Sequence, residues 1–74
     1  MSPVAKADDA LIFYDLSLNE FPDGVYNYYL YYQMAQIYKD QNKKELALEY
    51  CNKSLELKSD FQAATTLLEE LKAM

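Results

Sequence analysis

The sequence predicts an all-α fold of about four helices. Three observations carry this reading. Only one glycine and two prolines interrupt the 74 residues. The apolar residues recur at helical, not alternating, spacing. Turn-forming residues cluster at a few places and leave helices of about four turns each between them. Short turns between helices of that length make neighbours antiparallel, so the chain should fold as consecutive helical hairpins. A chain this short makes one domain and buries only about 60% of its unfolded surface, so any exposed apolar face matters.

The first helix can start at Ser2-Pro3, with serine as N-cap and proline in the first turn. Phe21-Pro22-Asp23-Gly24 must end it, because proline disfavours helix in the residue before it and glycine relaxes the turn. A second helix runs from about Tyr26 to Gln41. Asn42 suits a left-handed cap there, and Asn42 with Glu45 can also open the next helix as a capping box. The third helix carries Ala47, Leu48, Cys51 and Leu55 along one side. Ser59 and Gln62 repeat the capping-box spacing. A fourth helix then turns Phe61, Ala64, Leu67, Leu68, Leu71 and Met74 inward and leaves Thr65, Thr66, Glu69, Glu70 and Lys72 to water.

Composition excludes several functions. The net charge is −5 and the seven basic residues are all lysines, scattered along the chain, which argues against a nucleic-acid surface. No long apolar run spans a membrane, and the first ten residues lack the layout of a signal peptide, so a cytoplasmic location is expected of the chain as it stands. The absence of histidine leaves no imidazole base for nucleophilic catalysis. The adjacent carboxylates Asp8-Asp9 and Glu69-Glu70 point apart on a helix, so neither pair is poised to share a proton or hold a metal. The expectation is a non-enzyme with no cofactor. Cys51 stands alone and reads as a small buried hydrophobe. Asn52-Lys53-Ser54 spells a glycosylation sequon but falls inside an expected helix.

In the middle of the chain the spacing is more specific. It reads Tyr31-x2-Met34-Ala35-x2-Tyr38, then Ala47-x3-Cys51, Ser54 and Ser59. This resembles the tetratricopeptide repeat, a helix-turn-helix unit of about 34 residues patterned W-x2-L-G-x2-Y, A-x3-F and P. The register covers 28–61 without a gap. Large rings at Tyr31 and Tyr38 would fill the space between paired helices, while Ala35 and Ala47 let the backbones approach. Departures from the pattern are Ala35 for glycine, Asn42 for the turn glycine, Cys51 for an aromatic, Ser54 for alanine and Ser59 for proline. None breaks a helix; Cys51 and Ser54 remove apolar volume, which bears on the tightness of packing and not on the fold. Residues 3–22 resemble a half repeat, the second helix of a preceding unit, and 60–74 a capping helix.

Residues 26–34 hold five tyrosines in nine positions. At about 100° per residue, Leu30, Tyr31, Met34, Ala35, Ile37 and Tyr38 share the core side. Tyr29, Tyr32 and Gln36 form another stripe, with Gln33 and Lys39 beside it. The resemblance implies that this stripe faces the groove in which such repeats hold peptides, and therefore a protein or peptide partner. The carboxylate-clamping set of some members, built from lysine, asparagine and arginine, is not matched here. In the first helix, Leu11, Tyr14, Leu18 and Phe21 can face the next hairpin. Ile12, Phe13 and Leu16 are then left uncovered, which suggests self-association as a homo-oligomer or a missing segment. Two functions follow: an interaction module presenting the tyrosine stripe, or a structural, oligomerising appendage such as the C-terminal tail of a larger enzyme.

Overall fold

A computed structural model describes residues 3–74, with side chains from Asp8 onward. The chain is all-α: α1 spans Pro3–Glu20, α2 Asn27–Asp40, α3 Lys44–Leu57 and α4 Gln62–Ala73. Among the described residues there is no strand. The expected cap at Ser2 lies outside them.

The turn after α1 closes because Asn27 is buried and its Nδ2 donates to the carbonyls of Phe21 at 2.8 Å and Pro22 at 3.2 Å. Gly24 is required by space, not by a left-handed backbone, since its φ is not positive. A Cβ there would stand 2.8 Å from Asn27 Oδ1 and displace the side chain that ties the turn.

α2 ends in a Schellman motif. The Lys43 amide donates to the Tyr38 carbonyl and the Asn42 amide to that of Lys39, both at 2.9 Å, with Asn42 left-handed at φ 62°. That geometry rules out the capping box expected of Asn42 and Glu45, because an N-cap needs a different, extended-like backbone. Lys43 takes the cap position of α3 without a side-chain bond. The second expected box also fails. α4 starts two residues late for it: Phe61 is the N-cap, and Gln62 reaches forward to Thr66 Oγ1 at 3.4 Å instead of back to Ser59.

α2 and α3 share the most extensive contact, and α3 packs next against α4. Side-chain bonds fix the directions. Ser54 near the end of α3 donates to the Tyr28 carbonyl at the start of α2 at 2.6 Å, so the two helices run antiparallel. Lys44 at the start of α3 reaches the Met74 carbonyl beyond α4 at 3.1 Å, which makes that pair antiparallel too. The core is Met34, Ala35, Ala47, Cys51, Ala64, Leu67 and Leu71, with Tyr38, Leu48, Leu55 and Leu68 packed partly buried around it.

Tyr31 and Tyr38 both stack on Tyr50 of α3, with ring centroids at 5.9 and 5.4 Å. The rings therefore bridge the helix pair as their spacing predicts, with Tyr50 the middle member. Cys51 and Ser54 are the two positions at which the repeat pattern loses apolar volume. Both are fully buried, and Cys51 Sγ lies 3.1 Å from the Ala64 carbonyl while Ser54 holds α2. Two expected core residues lie outside: Phe21 is past the end of α1 where the chain turns away, and Met74 is beyond the last helical turn.

Burial raises the pKa of Tyr38 and Tyr50, and neighbouring tyrosines and the carboxylates of Asp15 and Glu49 add to it. Burial alone raises that of the Cys51 thiol. Each group holds its proton more tightly folded than unfolded. Their stabilisation is thus complete below the unfolded values, about 8.5 for thiol and 10 for phenol, and is lost as pH climbs through the folded ones. The melting temperature should be level from neutrality to about pH 8 and fall above it. In a Tyr38→Phe, Tyr50→Phe variant the fall above about pH 10 should be shallower; an identical alkaline profile would refute the assignment.

Candidate functional site

The face of α2 turned toward α4 carries the tyrosine stripe. Tyr29 is 45% exposed and Tyr32 half-buried, with their centroids 6.1 Å apart. Phe61, at the cap of α4, is the floor beneath both: its ring lies 5.2 Å edge-on from Tyr32, 6.5 Å from Tyr29 and 5.0 Å from Tyr28. Aromatic rings at such distances and tilts attract edge to face, which fixes their orientation beyond what burial alone would do.

Two glutamines one helical turn on orient the phenols. Gln33 Nε2 donates to the Tyr29 hydroxyl at 2.7 Å and Gln36 Nε2 to the Tyr32 hydroxyl at 2.8 Å. Each hydroxyl thereby serves as acceptor, and neither has a proton acceptor among the described residues. The stripe presents two O–H donors on rigid apolar plates, which matches the carbonyls of a peptide backbone. Lys39 lies at the far end of the stripe and pairs with Glu70 of α4 at 3.3 Å. This exposed pair joins the ends of α2 and α4, at about 0–1 kcal/mol.

All five residues expected at the groove, Tyr29, Tyr32, Gln33, Gln36 and Lys39, thus lie on one face, four of them in hydrogen-bonded couples. Sequence spacing missed Phe61 as the shared floor, having assigned it to the interior. The signal was available in its place in the turn, where a ring reaches back to the start of α2. Lys53 of α3 sits over the Tyr31 ring of α2 and over Tyr50 of its own helix, and Lys58, at the end of α3, sits over Tyr28; the contacts to Tyr31 and Tyr28 are cation–π contacts that brace α3 against α2.

Ile12, Phe13 and Leu16 form the second expected surface, and all three are exposed. Among the described residues, no group of cysteines and carboxylates is placed to hold a metal ion, and no helix is long and apolar enough to cross a membrane.

The family model described as the tetratricopeptide repeat matches residues 28–61. No curated protein and no solved structure gives a significant match to the chain. The matched span begins in the first turn of α2 and ends at the cap of α4, so it contains the helix pair that the tyrosine stack and the Ser54 bond hold together. Helices α2 and α3 are thus similar to one tetratricopeptide repeat, over a span that covers a little less than half of the chain.

Proposed function

We propose that the protein is a non-catalytic interaction module that holds a peptide segment of a partner protein against the α2 face lined by Tyr29, Tyr32, Gln33, Gln36 and Lys39. In this reading α1 stands as the second helix of an incomplete preceding unit and α4 as the capping helix. The observation that carries it is the pair of tyrosines over Phe61, whose hydroxyls accept from glutamines and keep their protons to donate. Tyrosines of this kind offer large apolar area and a polar tip at small entropic cost, which suits interface anchors. The match of residues 28–61 to the repeat family favours the same class of function, since such repeats characteristically bind proteins.

The test is selection of peptides from a random display library on the immobilised protein, followed by affinity measurement on variants. Tyr29→Ala removes an exposed ring, and Tyr32→Phe removes only a hydroxyl, so both should keep the helix content. Selected peptides should lose about tenfold or more in affinity on Tyr29→Ala and several-fold on Tyr32→Phe. Unchanged affinities on both would place the peptide site elsewhere.

A further inference from the structure

The part of α2 that holds the tyrosine stripe carries no charge: from Gly24 to Tyr38 the chain has neither an acidic nor a basic residue. The charges at its two ends are matched. Lys39 pairs with Glu70 at 3.3 Å, and next to Phe61 the Asp60 carboxylate pairs with Lys58 at 3.6 Å. Exposed Asp40 is in register with Tyr29 and Gln36, but it stands about 12 Å along the helix from Tyr32, beyond the reach of a screened charge in physiological salt. On the ring-bearing turns, a ligand's carboxylate, phosphate or ammonium group therefore meets no opposite charge of the stripe itself.

Hydrogen bonding over the rings is one-sided. Their only polar atoms are two phenol oxygens, and each already accepts an N–H, from Gln33 at 2.7 Å and from Gln36 at 2.8 Å. What the rings still offer is protons. They suit a ligand that brings carbonyls and few N–H groups, because an N–H laid on them would give up water without a good acceptor. Proline keeps its carbonyl and has no N–H.

The spacing of the rings agrees. Tyr29 and Tyr32 lie 6.1 Å apart between centroids, tilted by 40°, over Phe61. A polyproline helix rises about 3.1 Å per residue, so residues two apart stand about 6 Å apart along its axis. One proline can rest on each phenol. We infer, on the reading of this stripe as the binding face, that its ligand is an uncharged, proline-rich segment in the polyproline conformation. Its pyrrolidine rings lie on Tyr29 and Tyr32, and its carbonyls accept their O–H groups. Such a segment is largely preformed when free, so little chain entropy is lost when it docks in an aromatic groove.

The probe is a peptide of about nine prolines, three turns of that helix, blocked at both ends and carrying an uncharged fluorophore. Two peptides of the same length serve as controls: one of glycine and serine, which is neutral but has its N–H groups, and one of glycine and lysine. Anisotropy titration should show the proline peptide binding at least about tenfold more tightly than either control, with little dependence on salt. Tyr29→Ala should weaken it about tenfold and Tyr32→Phe several-fold. Gln36→Glu should also weaken it several-fold, because a carboxylate there takes the Tyr32 proton while the ring stays in place. Circular dichroism should be unchanged in all three. Binding of the proline peptide no tighter than that of the glycine-serine peptide would overturn the inference. So would tighter binding of the lysine peptide, which would make the rings a cation site. In either case the groove reading stands if library-selected peptides still lose affinity on Tyr29→Ala. Binding of the proline peptide untouched by all three substitutions would remove both.

Discussion

Leu71→Ala should cost about 2–5 kcal/mol, the largest loss expected of any single substitution in α4. Leu71 is completely buried and, with Leu67 and Ala64, forms the side of α4 that closes over Ala47 and Cys51. Truncating it removes the transfer energy of the side chain and leaves a cavity that helices anchored elsewhere cannot fully close. A domain of this size has roughly 4–11 kcal/mol in all, so one deletion consumes a large share of it. The urea midpoint should fall steeply with the slope unchanged if the whole unit unfolds together. A decreased slope would mean that α4 has already detached in the native variant. The groove should suffer in either case, because Phe61 lies at the head of α4 and Glu70 near its foot. A loss of unfolding free energy of less than about 1 kcal/mol would show that the site collapses freely and that α4 is an appendage.

The helices were legible in the sequence because periodicity and punctuation agree: every turn holds a residue with a physical reason to be there. Asn42 is the clearest case, its left-handed backbone foreseeable from the residue type and its place after a periodic run. The two capping boxes were misread for a related reason. A spacing of S/T/N and E/Q says nothing about which backbone conformation the first residue has already been given, and at Asn42 the preceding helix had claimed it. The aromatic bracket was half legible. Tyr31 and Tyr38 follow from the helical period, but Tyr50, which both rings stack on, is one residue off the apolar line of α3 and declares itself only when the helices are crossed.

The candidate groove divides in the same way. The stripe of Tyr29, Tyr32, Gln33, Gln36 and Lys39 was visible because residues at i and i+4 share a face. The Gln33–Tyr29 and Gln36–Tyr32 couples are that geometry realised. What spacing could not supply was the depth of the second tyrosine or the ring beneath both, since Phe61 is distant in sequence. Ser54 teaches a similar lesson: read against the repeat pattern it is a lost methyl, yet its hydroxyl bonds the Tyr28 carbonyl across the pair. A small polar residue can therefore replace a small apolar one at a helix crossing when a backbone acceptor stands opposite.

That close crossing is also where enlargement should do the most harm. Ala35 and Ala47 are both fully buried members of the same cluster, on facing helices whose separation is set by how small they are. Ala35→Leu would add three carbons where neither backbone can retreat, because Ser54 ties α3 to the start of α2 and the Schellman turn ties α3 to its end. Overpacking of this kind typically costs about 1–3 kcal/mol, and the upper end applies where the helices are pinned at both ends. The same leucine at exposed Glu69 should change the unfolding free energy by no more than about 0.5 kcal/mol, which separates crowding from any general effect of leucine. Chemical denaturation of the two variants settles the matter. If Ala35→Leu is as stable as the parent, then the rings of Tyr31, Tyr38 and Tyr50, and not the small residues, set the spacing of the repeat.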